Sequence, residues 1–165
     1  MTSGHTVAND LINIILGLGV LLSYVIILPP AMKRMSADYL WAGIRGKART
    51  LTVSSMLLTA IAYLYAYYHL RTEPSTTVTM GFVLFLVGAL LWAPFLAKNN
   101  KIMTMGALTL TSIGALVLVF YTFYNFDSAL LRAAVLHIFF HVFVLDNLHW
   151  GYKFLRNYNP RIGGV

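Results

Sequence analysis

The stretch Leu130–Trp150, LLRAAVLHIFFHVFVLDNLHW, decides how many times this chain crosses a membrane. Its apolar middle, Ala133 to Leu145, is bounded by Arg132 and Asp146 and interrupted by His137 and His141. A helix needs about 20 mostly apolar residues to cross roughly 30 Å of hydrocarbon, and the middle alone falls short. Only with Leu130 and Leu131 before it and Asp146 to Trp150 after it does the segment reach spanning length. A re-entrant or interfacial helix is the alternative, and would leave four spans.

Four other segments carry no such ambiguity: about 9–28, 51–70, 78–96 and 102–124. Apart from Asp10 at the start of the first, none holds Lys, Arg, Asp or Glu between its ends. Lipid offers no partners to backbone N–H and C=O groups, so each span has to be helical. The first is expected to end at Pro29–Pro30, where amide donors are missing and the rings crowd the preceding turn. Over the 165 residues, apolar types make up 59% and charged types 10%; a soluble domain carries about 25% charged residues. The fold class read from this is all-α: a single transmembrane domain over 1–165, a polytopic bundle of five spans with the fifth at about 130–150.

Charge decides between five spans and four, and sets the direction. Lys and Arg collect in cytoplasmic loops. Lys33, Arg34, Arg45, Lys47 and Arg49 follow the first span, Lys98 and Lys101 the third, and Lys153, Arg156 and Arg161 the fifth. The remaining loops hold Arg71 and Arg132, a division of ten against two. Five spans with the N-terminus outside and the C-terminus cytoplasmic put the ten on one side; four spans would strand the basic tail on the other. The formal charge of +7 therefore reads as orientation and attraction to lipid headgroups, not as affinity for nucleic acid. Met1 to Asp10 has no Lys or Arg and no small-residue cleavage site follows, so the first helix is expected to be retained.

Anchors at headgroup depth are expected from Tyr63, Tyr65, Tyr67 and Tyr68 at the outer end of the second span, and from Trp41, Trp92 and Trp150 at the inner boundary. In the first inner loop, Ser36 is positioned to cap a short helix with Tyr39, Leu40, Trp41 and Ile44 on its apolar face. Lys33, Arg34, Trp41, Arg45, Lys47 and Arg49 are the candidate headgroup contacts. Gly17, Gly19, Gly88, Gly106 and Gly114 are small enough to let helices approach.

Chemistry concentrates in the last span. Ionisable residues inside a bilayer are costly and face a bundle interior or a watery cavity. As an α-helix, the span puts His137 and His141 on one face a turn apart. Asp146 then points away from His137 and lies near His149 at the inner boundary. Three functional readings follow. His137 and His141 can hold haem, a metal or an apolar ligand; a third metal ligand would have to be the distant His69, and a bis-histidine haem would need a histidine on another helix. Asp146 and His149 can form a proton or ion path. The histidines can instead be packing residues bonded to Ser or Thr of neighbouring helices, among them Thr52, Ser54, Ser55, Thr59, Thr109, Thr111 and Ser112, with Asp146 paired to Lys98, Lys101 or Lys153.

The chain has no cysteine, which removes disulfides and thiolate chemistry. It carries no phosphate-cradling glycine loop and no serine-hydrolase elbow. No complete catalytic set appears, so the expected function is a non-enzymatic integral membrane protein: an accessory subunit of a larger assembly, or a structural component, whose partners are lipids and other membrane subunits or copies of itself. In gross layout the chain resembles the translocator-protein family of porphyrin and sterol binders. The Trp and Pro pattern of that family's helices does not occur among the three Trp and five Pro here, so no residue roles carry over.

Overall fold

The computed structural model describes residues 4–34 and 40–157, all of whose regular structure is helical. The helices are α1 (Gly4–Arg34), α2 (Gly46–Leu70), α3 (Thr76–Ala97), α4 (Lys101–Asn125) and α5, which runs without a break through an α-helical segment Ala129–Phe139, a π-helical segment Phe140–Trp150 and a last α-helical segment, Gly151–Asn157. Each of the five contains a stretch long and apolar enough to cross a membrane, including the doubtful last one, where Ala129–Arg156 provides 28 residues.

The first helix does not stop at Pro29–Pro30 but continues to Arg34. The two prolines remove the donors that would reach the Val25 and Ile26 carbonyls. Their fixed φ is itself helical, so the backbone holds its course for one more turn.

Paired residues give the directions. Asn9, Asp10 and Asn13 of α1 meet Arg71, just past the end of α2, and Tyr67 and Tyr63 within it, an antiparallel pairing. Asn9 meets Thr79, and Tyr24 meets Trp92, so α1 and α3 run parallel. Ser112 bonds to Val142, and Asn147 to Leu108, so α4 and α5 are antiparallel. One end of the bundle gathers the start of α1, the turn between α2 and α3, and the turn between α4 and α5; the other gathers the basic segments.

The tightest contact joins α3 and α4, antiparallel and backbone to backbone. A Cβ on Gly88 would lie 2.6 Å from the Ala107 carbonyl oxygen, and one on Gly114 would lie 2.8 Å from the Gly81 carbonyl oxygen. Gly81 faces Leu118 of α4. Of the glycines expected to admit neighbours, Gly88 and Gly114 do so and Gly19 lies against Leu90, whereas Gly17 and Gly106 face open space. Around this pair the core gathers Phe82, Leu118, Leu70, Val78, Leu131 and Ile138.

A second apolar cluster closes the basic end. Leu40 is helical and is followed by a tight turn, with Ala42 at φ 50° and Gly43 at φ 77°, and Ile44 N–H donating to the Trp41 carbonyl at 2.8 Å. Ala42 and Ile44 are buried against Leu96, Leu108, Trp150 and Phe154, so Ile44 lies beyond the turn and not on the apolar face of a short helix. The start of the short helix expected from Ser36, with Tyr39, lies outside the described residues. Trp150, expected as a headgroup anchor, is buried and donates its indole N–H to the Leu40 carbonyl at 2.9 Å. A buried indole needs an acceptor, and the turn provides one.

Large side chains at the α3–α4 crossing have no room. Gly114→Leu is expected to force the two backbones apart and destabilise the bundle by about 3 kcal/mol or more, whereas Gly106→Ala, in open space, should stay within about 0.5 kcal/mol of the parent. Equilibrium unfolding in mixed detergent micelles measures both.

Candidate functional site

The π-helical stretch of α5 rearranges its polar side chains. In an α-helix a residue five positions on lies about 140° round the axis. The π-helix closes hydrogen bonds at that same five-residue interval, so side chains five apart are brought toward the same side of the helix. His141 Nε2 accordingly stands 3.5 Å from Asp146 Oδ2. The Gly151 N–H, donating to the Asp146 carbonyl, is one of the backbone bonds of this spacing. The expected neighbour of Asp146, His149, makes no hydrogen bond or ion pair among the described residues, and neither Lys98 nor Lys153 pairs with the carboxylate.

Both core histidines turn to one residue of α2. His137 Nε2 lies 3.3 Å from the Ser55 carbonyl oxygen, and His141 Nδ1 lies 3.0 Å from the Ser55 hydroxyl. A carbonyl only accepts, so His137 carries its hydrogen on Nε2. Ser55 differs from the hydroxyl residues around it. Thr52, Thr59, Thr104, Thr109 and Thr111 each donate to the carbonyl four residues earlier, the usual resting place of a hydroxyl in a helix. Ser55 directs its hydroxyl across to α5. Its carbonyl meanwhile accepts from Thr59 Oγ1 at 2.8 Å. Ser55 is one of the partners expected from the sequence.

On its other side α5 is tied to α4. Asn147 Nδ2 donates to the Leu108 carbonyl at 2.8 Å and to Ser112 Oγ at 2.6 Å, while Ser112 Oγ donates to the Val142 carbonyl at 3.2 Å. Toward the basic end the seam meets rings: Tyr24 lies within electrostatic range of Asp146, its ring is edge-on to Trp92 at 5.7 Å, and Trp92 is edge-on to Trp150 at 5.9 Å. The arrangement is a line of polar groups, Asp146, His141, Ser55 and His137, set in an apolar bundle.

The line does not make a metal centre. No three His, Asp or Glu side chains converge among the described residues. His69, the remote third candidate, packs against Tyr65 and Tyr68 at the opposite end. For haem, His141 has both ring nitrogens turned to protein groups, Ser55 and Asp146, and no second histidine faces it from another helix.

A second polar cluster, at the end where α1 begins, is larger than the sequence reading allowed. Asn9 is fully buried; it donates to the Arg71 carbonyl at 3.1 Å and accepts from Thr79 Oγ1 at 2.7 Å. Asp10 pairs with Arg71 at 3.2 Å and accepts from the Tyr67 hydroxyl, and Asn13 accepts from the Tyr63 hydroxyl. Tyr63 and Tyr67 are thus turned into the bundle, while Tyr68 is exposed. The signal was present as spacing: Asn9 with Asn13, and Tyr63 with Tyr67 and Arg71, are polar stripes at four-residue intervals.

Of the candidate headgroup contacts, Arg45, Lys47 and Arg49 are exposed at the basic end, and the Arg49 guanidinium sits over the Trp41 ring at 4.7 Å. Lys33 and Arg34 fall in the last turn of α1, with their side chains outside what is described. No family model, no curated protein and no solved structure matches the chain.

Asn147→Leu removes both bonds that this residue makes to α4 and is expected to destabilise the bundle by about 1–2 kcal/mol, against no more than about 0.5 kcal/mol for His149→Ala. The unfolding midpoint in detergent titrations reads the difference.

Proposed function

We propose that this chain is a multi-pass integral membrane protein, crossing five times with its N-terminus outside and its C-terminus cytoplasmic, and that it serves as a non-enzymatic accessory subunit of a membrane assembly. The observation that carries the subunit reading is the position of α1. It packs along α3 and is bolted to α2 and α3 by the Asn9–Asp10–Asn13 cluster. The rest of its surface, including Leu11, Ile15, Leu18, Leu22 and Val25, is exposed and apolar. Bonded at one end and bare along its length, α1 offers a partner helix a long apolar side. In a bilayer such a side is covered by acyl chains or by another helix.

The spanning reading is supported by the apolar surfaces of all five helices and by the basic segments gathered at one end. The polar side chains of the interior support a scaffold role, since Asn147 and Ser112 hold helices to one another.

Two measurements test this. The chain has no cysteine, so single replacements report cleanly. Thr72→Cys is expected to react with a membrane-impermeant maleimide on intact cells, and Ala48→Cys only after permeabilisation; the reverse pattern refutes the orientation. Purification in mild detergent should recover a stoichiometric membrane partner or a defined oligomer. A solitary monomer at native expression levels counts against the subunit reading.

A further inference from the structure

Among the described residues, Ser55, His141 and Asp146 form an ionisable site in the bundle interior that helix packing alone does not explain. Packing would be served by a serine bonded to its own helix. Instead the hydroxyl of Ser55 crosses to His141, and the π-helical turn brings a carboxylate against the other side of the same ring. π-Helical turns are rare and are frequently found at functional sites. Apart from Lys47 and Arg49 in the first turn of α2 and Lys101 at the start of α4, the helices α2, α3 and α4 carry no Asp, Glu, Lys or Arg. His137 on α5 lies within electrostatic range of His141, and Tyr24 on α1 within range of Asp146.

We propose that Asp146, His141, Ser55 and His137 form a proton path along the inner side of α5, open to the basic end at Asp146. When Asp146 takes up a proton, His141 presents a bare Nε2 to the carboxyl and holds its hydrogen on Nδ1, donated to the Ser55 hydroxyl oxygen. The carboxyl proton passes to Nε2 as the Nδ1 hydrogen passes to Ser55 Oγ, and the hydroxyl releases its own hydrogen to the bare Nδ1 of His137. Asp146 returns to carboxylate, Ser55 keeps one hydrogen, and His141 is left with its hydrogen on Nε2 and regains the Nδ1 tautomer before the next proton. His137 is bonded through its Nε2–H to the Ser55 carbonyl at 3.3 Å, so its ring has to turn for Nδ1 to meet the hydroxyl of the same residue, and the imidazolium so formed then releases its proton. Beyond it, toward the end where α1 begins, Asp127 stands fully exposed in the turn before α5 and is paired with Arg132 at 3.1 Å. His149 lies off this line. The path rests on the membrane-spanning reading above and is independent of the subunit role.

The test is proton flux into liposomes holding a trapped pH-sensitive dye, driven by a potassium diffusion potential set with valinomycin. Flotation of the protein with the vesicles is checked first; failure to insert overturns the spanning reading and the path with it. The inserted wild-type chain is expected to raise the flux clearly above that of empty vesicles. Asp146→Asn and His141→Phe should lower it at least about tenfold, as expected for loss of a group that carries the transferred proton. Asp146→Glu should restore a large part, and His149→Gln should leave it unchanged. Ser55→Ala keeps the carbonyl bond to His137 and removes only the hydroxyl, so it guards against loss of fold; in a monodisperse, helical Ser55→Ala protein the flux should fall with the others. Wild-type flux no greater than that of empty vesicles overturns the path, as does undiminished flux in Asp146→Asn or Ser55→Ala.

Discussion

The close crossing of α3 and α4 is the contact on which the rest of the bundle depends. Without a hydrophobic drive between helices in lipid, association rests on van der Waals contact, which falls away steeply with distance. Gly88 and Gly114 bring the two backbones together where any side chain would collide with a carbonyl or an amide. With that pair placed, α1 lies parallel along α3, α5 antiparallel along α4, and α2 closes the ring through α5 and the start of α1. The two apolar clusters follow from this frame, one around Phe82 and Leu118 and the other around Trp150 and Phe154.

Polar side chains then serve as fastenings at particular depths. At the end where α1 begins, Asn9, Asp10 and Asn13 meet Tyr63, Tyr67, Arg71 and Thr79. Midway, Ser55 receives both histidines of α5, and near the basic end Asn147 reaches α4. Each is a place where a buried polar group would be costly if left unpaired. The His141–Asp146 pair stands apart from these fastenings. It joins residues of one helix and bonds no two elements together, so it adds nothing to assembly that an apolar pair could not supply.

Much of the fold was legible before any coordinates. Each of the four unbroken apolar runs lies within one helix; those of α3 and α4 have its bounds to within a few residues, while α1 and α2 begin earlier and α1 also ends later, and the fifth segment is helical. Two failures are instructive. The proline pair was read as a stop, but proline removes a donor without forbidding the helical φ, so α1 runs on. Ile44 was read as part of the apolar face of a short helix, whereas the positive φ at Ala42 and Gly43 makes a turn after the helical Leu40 and buries Ile44. The site was legible in its residues and not in its geometry. His137, His141 and Asp146 are marked by chemistry alone, but their mutual placement was derived with an α-helical period, and the stretch that carries them does not have one.

What the amino-acid sequence determines by itself is the class of the protein: apolar segments of spanning length, an uneven distribution of Lys and Arg, no cysteine chemistry, and ionisable groups gathered in the last helix. Those are properties of composition and spacing, which survive any arrangement of the helices. What only the tertiary structure decides is which of these groups meet. Ser55 is one hydroxyl among many on α2 until α5 packs against it. Asp146 becomes the partner of His141 instead of His149 because the helix changes period between them. The physical reason is that a side chain's partner is set by angles about a helix axis and by the distance between axes, and a local change of one residue per turn redirects every polar group beyond it.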